Sequence, residues 1–218
     1  MKIARKLVHL EAGALWALKR STRPLPNVKT APNQSQRELL ISPLVINTLN
    51  VWALFVRTYF ICCLMGARSG GGVAISSNHS SLRMSVNDAI GHAIAITNPK
   101  ALPTASGMWD TRDEPTWHDV KTLIRLASAF SFSNSTDIQT AFTFGFTAHR
   151  NFVVSRNYYA HRNRGTRMKA QNIATYYGIR TNQHPTDILL DSPLTSPGVT
   201  LLDLWIGELN QTIKLLCS

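Results

Sequence analysis

Apolar residues recur at helical spacing almost from the start of the chain. In "MKIARKLVHLEAGALWALKRS", Ile3, Leu7, Leu10, Ala14, Leu15 and Leu18 mark one face of an amphipathic helix. His9 and Glu11 interrupt what would otherwise be the apolar core of a signal peptide. "TRPLPNVKTAPNQ" reads as a Pro/Asn-rich loop. "SPLVINTLNVWALFVRTYFICCLMGA" follows, apolar nearly all round, and predicts the longest helix, central in the fold. Ser42 is its expected N-cap, Pro43 its first helical position and Gly66 its end.

Shorter elements come next. "ARSGGGVAISSNHSSLR" reads as a flexible loop; a phosphate cradle there would need a following Gly-Lys-Ser/Thr and a preceding strand, and it has neither. Ser85 with Asp88 forms a capping-box pattern that opens a helix to about Ile96. "TNPKALPTASGMWDTRDEP" is loop. Thr116 with Asp119 repeats the pattern and opens a helix to about Phe130, and "SNSTDIQTAFTFG" supplies a further turn or two. A helix runs from about Thr147 to Asn163, with Arg164–Gly165 at its end. "MKAQNIATYYGI" continues as helix, "HPTDILLDSPLTSPG" is loop, and a last helix spans about Val199 to Leu216. Only "VAIS" and "FTFGF" hint at strand, and no repeat is visible. The pattern predicts an all-α chain, a bundle of six or seven helices with long decorating loops, as a single domain over 1–218.

Composition sharpens this. Apolar residues make up 44% of the 218, enough for a packed core. The net charge of +11 points to a polyanionic partner, nucleic acid before an anionic membrane surface. Between Ile138 and Thr186 there is no acid, while Arg150, Arg156, Arg162, Arg164, Arg167, Lys169 and Arg180 all fall there. A solvated basic face would give the same pattern as a binding surface. Cys62, Cys63 and Cys217 have no C-x-x-C or metal-ligand spacing, so no metal is expected and the chain reads as reduced, intracellular and cytoplasmic. The long apolar segment is the one candidate for a membrane span. Its Asn47, Asn50 and central Arg57 argue for a buried helix instead, since a charge at mid-bilayer costs roughly 2.5–3.5 kcal/mol on insertion scales.

The basic run contains "SRNYYAHRN". On a helix Asn157 and His161 share a face, Arg156 lies about 140° from His161, and Tyr159 and Phe152 point toward a core. Histidine transfers protons near neutral pH, arginine clamps phosphate oxygens, and asparagine orients the ring or holds a phosphate oxygen. RNA carries its own nucleophile, the 2′-hydroxyl, so a proton-transfer group with a phosphate clamp suffices for cleavage. DNA lacks it and usually requires a metal. The missing carboxylate cluster agrees with a metal-free site. Arg150, with His149, extends this face. Arg162, Asn163, Arg164, Arg167 and Lys169 are candidate phosphate contacts, and Tyr158 a candidate base-stacking platform. The bland readings stand beside these: a basic helix end suited to the helix dipole, an exposed polar stripe at His149–Arg150, a core or interface role for Tyr158, and a structural His161 with Arg156 as a cap. His79, His92, His118 and His184 are isolated in sequence and receive no role.

Arg156-Asn157-Tyr158-Tyr159-Ala160-His161 resembles the R-(polar)-x3-H form of the R-x4–6-H motif of the HEPN superfamily, whose second position is commonly Asn, Asp or His. The likeness covers six to nine residues, and "INTLNVWALFVRTYF" is similar to the core helix of stand-alone HEPN-like nucleases. The resemblance implies a metal-independent endoribonuclease of toxin–antitoxin or antiviral defence systems, without cofactor. Arg156, Asn157 and His161 would be its catalytic residues, and two copies of the motif would face each other in a homodimer. Expected partners are RNA, a second copy, and an antitoxin or defence-system protein. The alternative is a non-catalytic basic helical module that binds nucleic acid or such a partner protein.

Overall fold

Some helices in this chain begin or end where side chains or left-handed residues satisfy the orphan amides and carbonyls of the terminal turns. The computed structural model describes residues 5–79 and 84–218; Ile3 of the first apolar stripe and the end of the glycine-rich loop, 80–83, lie outside them. The described residues form α1 (Leu7–Ser21), α2 (Leu25–Thr30), α3 (Gln34–Leu64), α4 (Val86–Thr97), α5 (Val120–Ala129), α6 (Ser135–Ala141), α7 (Ala148–His161), α8 (Arg164–Tyr177), α9 (Pro185–Leu190) and α10 (Leu201–Cys217). Among them β-pairing is limited to isolated bridges at Lys6–Arg68 and Arg68–Ala74, so the chain is all-α, a helical bundle with loops.

Several termini follow local chemistry. Ser85 and Asp88 form a full capping box on α4. Gly66 adopts φ +77° after α3, with Gly66 N–H bonded to Cys63 O and Ala67 N–H to Cys62 O, the paired bonds of a Schellman ending. On α5 the cap is Asp119, which accepts from Lys121 N–H; Thr116 belongs to the preceding turn, where its carbonyl accepts from Asp119 N–H.

Prolines account for the main departures. α3 starts at Gln34, with Asn33 Oδ1 accepting from Gln36 N–H at 3.0 Å, and Pro43 lies inside it instead of at its head. An interior proline costs about 3 kcal/mol. Burial of Ile41, Leu44 and Val45 around it offsets that cost, and the extra turns carry Arg37 and Glu38. Two stretches expected as loop contain short helices. Pro24 precedes α2, with Pro26 in its first turn, and Pro185 opens α9. These rings sit in first turns, where no N–H is needed.

The chain divides into two compact units, and α1, α3 and α10 contribute residues to both. One unit comprises 1–15, 53–145 and 212–218. Its core includes Phe60 against Trp117, Phe130 and Phe132, with ring centroids 5.6–5.8 Å apart. Arg57 is paired there in a fork with Glu114, at 2.6 and 2.9 Å, and Trp117 Nε1 donates to the same carboxylate. The other unit comprises 16–52 and 146–211 and carries the basic motif. Its core includes Ile41, Trp52, Phe152, Trp205 and Leu202.

α3 is long and apolar enough to cross a membrane by length and composition, with a mean hydropathy of 1.9 over its most apolar window. Its Trp52, Phe55, Tyr59, Phe60 and Cys63 are buried against the rest of the protein. Cys62, Cys63 and Cys217 are buried and form no disulfide.

Candidate nucleic-acid interface

The motif helix is anchored at both ends. At its start, Thr147 and Ala148 N–H both donate to Glu208 Oε2 at 2.8 Å. Tyr177 Oη gathers Thr147 Oγ1, Asn151 Nδ2 and Trp205 Nε1 within 3.1 Å. Phe152 packs edge-on against Trp205, with centroids 5.4 Å apart. Burial raises the Glu208 carboxyl above its ordinary value, and the two amide bonds pull the other way.

The motif divides its residues between interior and solvent. Phe152, Ser155, Tyr158 and Tyr159 are buried, whereas Arg156, Ala160 and His161 are exposed and Asn157 is half-buried. Arg156 Nη1 donates to Asn157 Oδ1 at 3.2 Å. No carboxylate among the described residues pairs with Arg156 or His161. Arg156 does not cap α7. The helix closes through the backbone of Arg162, which takes the left-handed conformation at φ +42° and donates its N–H to Tyr158 O at 2.8 Å.

α8 begins immediately. Asn163 is its N-cap, with Oδ1 accepting from Thr166 N–H at 2.9 Å. Arg164 and Gly165 therefore open α8 and do not end α7. Two continuous-looking stretches of sequence are separate helices that pack on each other. Arg164, Arg167 and Lys169 are all exposed in the first turns of α8, and no acid offsets them at the positive end of the helix dipole. Arg150 is exposed on α7, but its neighbour His149 is only 6% exposed and is not part of an open stripe.

Tyr158 is not a stacking platform. It is 5% exposed, so its face is not open to a base. Its hydroxyl instead meets His184 Nε2 at 2.9 Å and Glu38 Oε1 at 3.4 Å. Tyr159 is buried as well, with its hydroxyl 3.0 Å from Thr186 Oγ1. Burial raises both phenols, so both stay protonated at neutral pH. Glu38 also lies 3.5 Å from Arg162 Nη1, so the candidate phosphate contact Arg162 is already paired with an acid. The run that holds no acid in sequence thus has one in space.

Glu38, His184 and Thr186 were not legible as site neighbours. His184 looked isolated because its partner lies 26 residues away. It also caps α9, with Nδ1 accepting from Thr186 N–H at 3.3 Å. The arrangement defines a class: an all-helical protein with an exposed arginine and histidine flanking a half-buried asparagine on one helix and a basic first turn on the next. Comparison with protein-family models, with curated proteins and with solved structures finds no match. Two cavities, of about 350 and 560 Å³, lie in the other unit; the larger is lined by Val73, Ile75, Asn134, Phe144 and Leu216, and neither by a motif residue.

Proposed function

We propose that the chain is a HEPN-like, metal-independent endoribonuclease that works as a cytoplasmic homodimer, with α3 a core helix rather than a membrane span. A toxin or phage-defence role, with an antitoxin or defence protein as partner, is part of this reading. One observation carries it. Arg156 and His161 reach solvent without a carboxylate partner, while the structural needs of α7 are met by Glu208, Tyr158, Tyr159 and the Arg162 backbone. The two residues suited to phosphate chemistry are in no ion pair among the described residues.

The chemistry follows from the side chains. His161 takes the proton of the 2′-hydroxyl as its oxygen attacks the adjacent phosphorus. Arg156 neutralises charge on the non-bridging oxygens, and Asn157 orients Arg156 through its amide oxygen. The P–O5′ bond breaks, a protonated imidazole supplies the leaving oxygen with its proton, and the products are a 2′,3′-cyclic phosphate and a 5′-hydroxyl. One histidine cannot stand on both sides of the phosphorus, so the second proton comes from His161 of the second copy across a two-fold axis. Arg164, Arg167 and Lys169 hold flanking phosphates.

The test is cleavage of single-stranded RNA in EDTA. His161→Ala and Arg156→Ala are each expected to lose about 10²–10⁴ in rate. Unchanged cleavage by folded His161→Ala overturns the assignment. The second reading, a non-catalytic basic module that binds nucleic acid or a partner protein, is favoured by the unopposed basic first turn of α8. On that reading RNA is shifted on a gel and never cut.

A further inference from the structure

Both tyrosines of the motif are tied to one short element. Tyr158 Oη meets His184 Nε2 at 2.9 Å and Tyr159 Oη meets Thr186 Oγ1 at 3.0 Å, so the first turn of α9 holds two consecutive residues of α7. Glu38, from α3, touches Tyr158 and also Arg162, the residue after His161. These contacts bracket His161 in sequence, and none of them uses its ring.

The hydrogen bonds have a direction. The Thr186 N–H can only donate, so His184 Nδ1 carries a lone pair and the neutral ring keeps its hydrogen on Nε2. Nε2 then donates to Tyr158 Oη, and Tyr158 in turn donates to Glu38, whose charge Arg162 balances. A helix end held only by its own backbone frays. A proton-transfer group displaced by about 1 Å can lose on the order of 100-fold in rate.

We propose that Glu38, His184 and Thr186 are positioning residues for the Arg156–Asn157–His161 motif. Acting through Tyr158, Tyr159 and Arg162, they hold the last turn of α7 so that His161 meets the scissile phosphate in one orientation. The proposal rests on the ribonuclease reading above.

The experiment compares Thr186→Val, Thr186→Ser and Tyr158→Phe with the unaltered protein. It measures RNA cleavage in EDTA and amide hydrogen exchange over 158–162. Valine keeps the shape of threonine and removes the partner of Tyr159; serine keeps the hydroxyl. Thr186→Val is expected to lower kcat by about 10- to 100-fold with little change in KM, while Thr186→Ser retains the original rate. Tyr158→Phe, which keeps its ring in place, should match Thr186→Val and carries the test alone if that variant does not fold. Exchange at 158–162 should quicken in the valine and phenylalanine variants only. An unaltered kcat in folded Thr186→Val, or in Tyr158→Phe where that variant stands alone, overturns the proposal. Failure of the ribonuclease reading looks different: the unaltered protein does not cut, or His161→Ala cuts as well as it does. Exchange then decides alone, and unchanged exchange in the valine and phenylalanine variants overturns the positioning.

Discussion

His184 shows how much one ring can bind together. Its Nδ1 caps α9 and its Nε2 meets the motif tyrosine, an arrangement that requires a neutral ring. Burial pushes its pKa below the usual 6.5; Glu38 of α3 and Asp187 of α9 pull it back up, and Arg167 of α8 and Arg162 at the end of α7 push it further down. A histidine whose folded pKa is depressed contributes stability that is present above the unfolded value and lost as pH falls through the folded one. Urea melts should therefore show stability declining as pH drops below about 6.5. In His184→Asn that part of the decline should vanish, since asparagine caps a helix and does not titrate in this range. An identical decline in the variant would show that the acid sensitivity lies elsewhere. None of this was visible at the residue itself in sequence, because a histidine followed by proline between two polar stretches carries no mark of its distant partners.

The joint between α7 and α8 is set by two residues. Arg162 turns the chain in a left-handed conformation that costs a non-glycine residue roughly 1–2 kcal/mol, and Asn163 restarts helix at once. The Arg162–Glu38 pair is largely exposed on the arginine side and stabilises little. Arg162→Gly is accordingly expected to raise stability by about 0.5–1 kcal/mol in thermal melts while slowing RNA cleavage, since it removes the partner of Glu38 at the end of α7. Opposite signs from one substitution would separate the backbone of Arg162 from its charge; a loss of stability would contradict the strain. Sequence spacing marked helix on both sides of this joint but placed it at Arg164–Gly165, because glycine is the usual stop signal. Pro43 misled in the same way. It looked like a helix start, and that reading left Glu38 outside any helix.

Across the whole molecule the excess of 23 basic over 12 acidic residues sets the association behaviour. The exposed cations of α7 and α8 include Arg150, Arg164, Arg167 and Lys169. RNA affinity should fall by roughly 0.7 log units per log unit of salt for each single-strand phosphate contacted. An affinity that stays flat from low to physiological salt would remove these residues from the interface. One chain supplies one Arg–Asn–His set, so the proposed chemistry also predicts a concentration-dependent active dimer. Sedimentation velocity at the assay concentration checks the assembly. Mixing unaltered with His161→Ala chains checks whether the site is shared, since a mixed dimer keeps one His161 where the reaction uses two, so activity should fall faster than the fraction of unaltered chain. A fully active monomer would refute the shared site.

The all-helical class, the interiors of the longer helices, the capping box at Ser85, the glycine ending at Gly66 and the placing of Arg156, Asn157 and His161 on one helix were all legible in the chain. These features depend on residues three to five positions apart, and such spacings are written directly in the sequence. What packing alone decided was the company the motif keeps. Glu38 reaches Tyr158 across 120 residues, His184 across 26, and Thr186 reaches Tyr159 across 27. A buried hydroxyl must find a partner, but local pattern does not say which one, because that depends on which helices the core brings together.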